Sequence, residues 1–211
     1  MSQIQEVKIT NCDPGPLGVF GLSVITLVAS SQKLGLTSGT SMLIPWAIFL
    51  GAGCQLIASI QEYKRSNIFA STAFGMFSMF WLAVGMVWLI QNGVFGEAMA
   101  NSIDPKQVAF GYTGYLVFSI FVTVAAMEIN KCLFIILVLI DLLLIGLAMH
   151  GFGIAPSFGS GLAAWSELII SILGLYTCGA NFLNVFFNRE VLPLGKPLGI
   201  IKKGSGPAAG H

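Results

Sequence analysis

The chain alternates long apolar runs with short polar breaks. Apolar runs lie near Leu17–Ser31, Ser41–Ile60, Thr72–Gln91, Val108–Met127, Cys132–Phe152 and Ala163–Phe187. A helix rising about 1.5 Å per residue needs roughly 20 residues to cross a hydrocarbon core, and most of these runs are long enough. The first is short. Its helix is expected to begin inside the proline-rich stretch DPGPLGV (Asp13–Val19) or to sit in thinned bilayer. The pattern predicts an all-α integral membrane protein with six transmembrane helices.

Composition strengthens this reading. Hydrophobic residues make up 55% of the 211 residues and charged residues 9%, with a mean hydropathy of +0.85. A soluble domain carries about 25% charge, so this chain cannot coat a water-facing surface. The net charge of +1 provides no basic field for nucleic acid. The sequence has no phosphate-binding glycine loop, zinc-protease helix or CxxC pair. Two histidines, His150 and His211, are too few for a histidine-based metal cluster, so neither metal nor cofactor is expected. Cys12, Cys54, Cys132 and Cys178 lie far apart, three of them in or beside apolar runs, and read as buried inert thiols. The polar start MSQIQEVKITN does not read as a cleavable signal peptide.

Charge sets the orientation. Six spans put both termini on one side, with Lys8, Lys64, Arg65, Lys131, Arg189, Lys196, Lys202 and Lys203, against Lys33 and Lys106 on the other. This positive-inside bias predicts cytoplasmic termini. The expected organisation is a cytoplasmic tail over 1–12, a six-helix transmembrane domain over 13–190 and a cytoplasmic tail over 191–203. The final GSGPAAGH, 204–211, reads as an appended scar. The six spans divide into two halves of three, which would be inverted if they form a repeat.

Inside a membrane the polar residues are the informative ones. Tyr112, Tyr115, Ser119 and Thr123 share one helical face, as do Thr177, Asn181, Asn184 and Asn188. Gln55, Ser23, Thr26, Ser71, Thr72 and Ser78 add neutral polar groups on other spans. Two readings stay open: hydrogen-bonding glue between helices, or a solute path lined by weak neutral donors that bind and release. Asp141 is the one acid well inside a span and is expected to be neutral or paired, or to be proton-linked. Glu167, near the outer end of the sixth run, is expected to reach water. Glu62 and Glu128 are expected at surface turns, with Glu128 close to Lys131. No nucleophile–base pair or metal set shares a membrane depth, so the chain does not read as an enzyme. Its short loops argue against a sensor or scaffold that does not transport.

DPGPLGV resembles the NPxPLGL signature of the acetate uptake transporters, also called the succinate–acetate permease or GPR1/FUN34/YaaH family. GAGCQLIASIQEYKRSNIFASTAFGMFSMFW, FGYTGYLVFSIF and NREVLPLGK follow in the family's order, so the resemblance runs from Asp13 to about Lys196. It implies a homo-hexamer in the bilayer of an inner or plasma membrane, each protomer with its own pore for acetate and related small carboxylates, succinate among them. It also implies passage as an anion channel or a proton-coupled symporter. The family's apolar constriction falls on Leu22, Phe77 and Ile140, with phenylalanine where the family has tyrosine. Thr26, Gln55, Tyr112, Tyr115, Asn181 and Asn184 are then expected along the substrate path. Asp13, Pro14, Gly15, Pro16, Leu17 and Gly18 form the entrance motif, with Asp13 as helix cap in place of the family's asparagine. Channels for another small solute, such as formate or ammonium, are the alternative.

Overall fold

The computed structural model describes residues 12–201. Lys8, Lys202, Lys203 and the final stretch 204–211 fall outside the described residues. Among the described residues, six helices are long and apolar enough to span a membrane. They are α1 (Gly15–Lys33), α2 (Leu43–Lys64), α3 (Ile68–Gln91), α4 (Pro105–Ala126), α5 (Lys131–Phe152) and α6 (Pro156–Phe186). A short helix, Glu97–Asn101, lies in the α3–α4 connection.

The helix starts follow local chemistry. Asn67 and Asn130 each accept a bond from a backbone N–H of the first turn, Ala70 at 3.2 Å and Leu133 at 2.9 Å. Asp13 does the same for Gly15 at 2.9 Å. Pro16 sits in the first turn of α1, where its missing N–H leaves no partner wanting. The first helix thus starts two residues before the apolar run and reaches 19 residues.

The sixth helix differs more from expectation. It starts at Pro156, ahead of the expected Ala163, and has 31 residues. Its first turns, PSFGSG, are rich in proline, serine and glycine, so hydropathy alone does not mark them. That extension moves Glu167 about three turns into the helix. Glu167 does not reach water: it is 2% exposed and forms an ion pair with Lys33 of α1 at 2.9 Å.

The helices form a ring in the order α3, α2, α1, α6, α5, α4. The ring closes between α4 and α3 through Phe80, which packs edge-on to Tyr115 at 5.2 Å and tilted against Tyr112 at 5.8 Å. Small residues allow the tight crossings. A Cβ on Gly146 of α5 would lie 2.6 Å from the Gly159 carbonyl of α6, and one on Gly159 2.7 Å from the Gly146 carbonyl. A Cβ on Gly174 of α6 would collide with the Ser23 hydroxyl of α1.

Within α2, Trp46–Cys54 is wound in wider π turns. Such segments are rare and concentrate at functional sites. The residue that follows the segment is Gln55, whose Nε2 donates to the Gly51 carbonyl at 2.6 Å.

The outer faces carry exposed apolar side chains, including Phe110, Val117, Phe118, Ile120 and Phe121 on α4. The chain after α6 folds back across the α4–α5 turn. Leu198 N–H donates to Met127 O at 2.8 Å, and Glu128 Oε1 accepts from Ile200 and Ile201 at 2.8 and 2.9 Å. Glu128 therefore holds the tail. The described cysteines are free; Cys12 is exposed and the other three are partly buried.

Candidate functional site

A cavity of about 240 Å³ opens at the end of the bundle that carries residues 12 and 201. Three helices, α1, α3 and α5, begin at this end. Their capping residues Asp13, Asn67 and Asn130 all line the cavity. The starts of α1, α3 and α5 therefore meet at its mouth, alongside the C-terminal ends of α2 and α6.

Five of the six helices supply the walls, and each one's deepest lining residue marks the floor. These residues are Leu22 on α1, Gln55 on α2, Phe77 on α3, Ile140 on α5 and Thr177 on α6. By helix rise the floor lies roughly 10–13 Å inside the starts of α1, α3 and α5. Leu22, Phe77 and Ile140 are 8%, 6% and 3% exposed and belong to the main apolar core. Above this floor the wall is mostly apolar, with Val19, Ala73, Phe74, Ile136 and Leu137. The polar exceptions are Glu62 and Asn181. Glu62 lies in the wall and not at a surface turn. It is 3% exposed, because α2 turns this residue inward two residues before its end, and it pairs with Arg65 at 3.4 Å.

Two floor atoms are unusual. Gln55 Oε1 and Thr177 Oγ1 are buried without a hydrogen-bond partner. A buried polar group left unpaired costs about 1–3 kcal/mol, so both are candidates for contact with a solute.

The other expected path residues lie elsewhere. Thr26 is fully buried, and its hydroxyl is taken by the carbonyls of Leu22 at 2.9 Å and Ser23 at 3.1 Å. Tyr112 and Tyr115 line a separate shallow recess with Phe80 at the α3–α4 seam. Asn184 is occupied by the returning tail. Its Oδ1 accepts from Val191 and Leu192 at 2.6 and 3.0 Å, and its Nδ2 donates to Leu192 O at 2.8 Å. Of the entrance motif, Asp13 and Gly15 line the cavity. Gly18 makes room for the Phe74 ring, and the Pro16 carbonyl accepts from Cys178 Sγ at 3.2 Å. Asp141 does not face the cavity either: its carboxylate accepts from Ser119 at 2.5 Å and Thr123 at 2.8 Å, tying α4 to α5.

Comparison with known proteins decides the family. The sequence profile of the GPR1/FUN34/yaaH family matches residues 1–196. The chain belongs to the GPR1/FUN34/yaaH family. One family relative is the succinate-acetate/proton symporter SatP of Escherichia coli K12, 29% identical over 191 residues, covering 90% of this chain and 97% of that protein. Another is the ammonia transport outward protein 2 of Saccharomyces cerevisiae, 27% identical over 144 residues, covering 66% of this chain and 51% of that protein. The fold is that of the bacterial acetate channel SatP, with a TM-score of 0.80 at 24% identity over 88% of this chain and all of that one.

The sequence singled out the three apolar floor residues through the family motifs. It listed Thr177 only as one of a polar stripe and read Glu62 as a surface residue. A sharper signal was available for Thr177: it is the stripe member set deepest in the span, where water cannot satisfy its hydroxyl.

Proposed function

We propose that this protein transports acetate and related small carboxylates across an inner or plasma membrane, by a path inside each protomer. The observation that carries this reading is the cavity whose deep end is formed by Leu22, Phe77 and Ile140 together with Gln55 and Thr177. Relatives named for succinate–acetate symport and acetate channel activity support the substrate class.

The path works in three stages. Backbone N–H groups at the starts of α1, α3 and α5 offer the carboxylate its first contacts at the mouth. Mostly apolar walls then strip its water, while weak neutral groups at the floor hold it loosely enough to release it. Leu22, Phe77 and Ile140 form the neck, and a rearrangement of these side chains opens it to the far half of the bundle. Phe77 offers no hydroxyl there, so polar contact at the neck falls to Gln55 and Thr177. Asp141, bonded by two hydroxyls, serves as an α4–α5 tie and not as a proton carrier.

The termini face the cytoplasm in this proposal. Among the described residues, the cavity end carries Lys64, Arg65, Lys131, Arg189 and Lys196 against Lys33 and Lys106 at the other end. The exposed aromatic face of α4 suits lipid or a neighbouring protomer in a homo-hexamer.

Ammonium is a second reading. Asp13 and Glu62 line the cavity, and no lysine, arginine or histidine does among the described residues. Labelled-acetate uptake into vesicles carrying the purified protein tests the main reading. Uptake well above that of empty vesicles, with ammonium a poor competitor, is expected. Ammonium flux without acetate flux would replace the carboxylate reading.

A further inference from the structure

We infer that Glu128 is a positioning residue for the cavity: it latches the chain after α6 across the α4–α5 turn, and the latched tail holds Ile129 and Asn130 in the cavity wall. The consequence for flux rests on the transport reading above.

The tail crosses three elements in turn. Beyond α6 the chain turns back at Asn188, where φ is +50°. Asn184 of α6 holds Val191 and Leu192, and the Tyr176 hydroxyl of the same helix donates to the Pro193 carbonyl at 2.8 Å. Over the start of α5, the Leu194 carbonyl accepts from Cys132 N–H at 3.1 Å. The Gly195 backbone lies so close to α5 that a Cβ there would come within 2.9 Å of the Lys131 Cβ. At the turn itself, Leu198 N–H reaches the Met127 carbonyl, and the N–H groups of Ile200 and Ile201 reach Glu128 Oε1.

These bonds meet needs that the two helices cannot meet alone. The last carbonyls of α4 and the first N–H groups of α5 have no partner within their own helix. Asn130 covers Leu133 N–H at 2.9 Å. The tail covers Met127 O on one flank and Cys132 N–H on the other. Between those anchors stand Ile129 and Asn130, and both line the cavity. Bonded on both flanks, the turn stays in the wall for as long as the tail stays on the turn.

The end of the tail is its lightly held part. Residues 195–201 are exposed and form neither helix nor strand, so burial does not fix them. Gly199 takes a left-handed conformation at φ +70°, and the two successive N–H groups after it converge on one carboxylate oxygen. Hydrogen bonds to a charged acceptor are roughly twice as strong as neutral ones. Glu128 therefore supplies the larger share of the attachment, and Leu198 the rest.

The test pairs amide hydrogen exchange with acetate flux from the tail side in the reconstituted full chain. Glu128→Ala is expected to speed exchange at the Cys132 amide about tenfold, although that amide bonds Leu194 and not Glu128. Ending the chain after Lys196 is expected to do the same, with the Leu194 bond left in place. Glu128→Gln keeps an oxygen for both N–H groups and is expected to stay close to the parent. A mouth that holds its shape only part of the time binds solute more weakly. The half-saturating acetate concentration should therefore rise about threefold in the two released variants, with the maximal rate unchanged. Faster exchange with unaltered flux constants would make the strap purely structural, overturning the inference and leaving acetate transport standing. Exchange at Cys132 unmoved in both released variants would also overturn it. No acetate flux through the parent chain overturns the transport reading, and the role of Glu128 in flux with it.

Discussion

Two buried polar clusters in this bundle use the same residue types to opposite ends. Between α4 and α5, Asp141 takes bonds from Ser119 and Thr123, and each side chain finds a partner. On the cavity floor, Gln55 and Thr177 each leave an oxygen unpaired. In a membrane interior, polar groups that close on one another join helices. Polar groups that border a cavity and stay open keep their bonding capacity in reserve. The difference lies not in residue type or helical face but in whether a partner helix has already used the atom.

That contrast can be broken by mutation, because the two kinds of site respond with opposite signs. The largest effect is expected at the fully closed ion pair. Lys33→Met strands the buried carboxylate of Glu167 and should cost about 3–5 kcal/mol, read as a fall in thermal unfolding temperature in detergent. Adding Glu167→Leu should recover most of that loss. Asp141→Ala leaves two buried hydroxyls without their acceptor and should cost about 2 kcal/mol by the same measurement, with little change in substrate preference. Asn184→Ala frees the returning tail and should cost about 1 kcal/mol. It should also speed hydrogen exchange at Val191 and Leu192. The smallest effect, and the sharpest for the comparison, is at the open site. Thr177→Val removes an unpaired buried hydroxyl and should leave stability unchanged or raise it by a few tenths of a kcal/mol, while transport falls. A clear loss of stability in Thr177→Val would mean that the hydroxyl is structural after all.

Much of the architecture was legible in the sequence, because a span must satisfy its backbone internally and be apolar over a fixed length. The six helices fall where the apolar runs do. The misread ends have one cause: α1 and α6 begin in stretches rich in proline, glycine and serine, where helix geometry continues but hydropathy does not. Glu167 was misplaced for that reason. The polar stripe Thr177, Asn181, Asn184, Asn188 shows the limit of periodicity. All four share a face, yet Thr177 and Asn181 line the cavity while Asn184 meets the tail. Asn188 has left the helix in a positive-φ turn. Helical spacing identifies a face but not what stands opposite each turn of it. The Asp141 cluster was ambiguous in the same way, since glue and path use the same hydroxyls until the partner helix is known. The reach of Glu62 into the cavity depends on where α2 ends against its neighbours, which no local pattern encodes.

The central claim is that solute crosses through the cavity of each protomer and must pass Leu22, Phe77 and Ile140. Labelled-acetate flux through reconstituted Leu22→Trp tests it most directly, with Val117→Trp on the exposed face of α4 as the matched control. The account predicts that the indole at Leu22 abolishes flux in a folded protein, while Val117→Trp transports like the parent chain. Full flux through Leu22→Trp, or loss of flux in Val117→Trp alone, would contradict it.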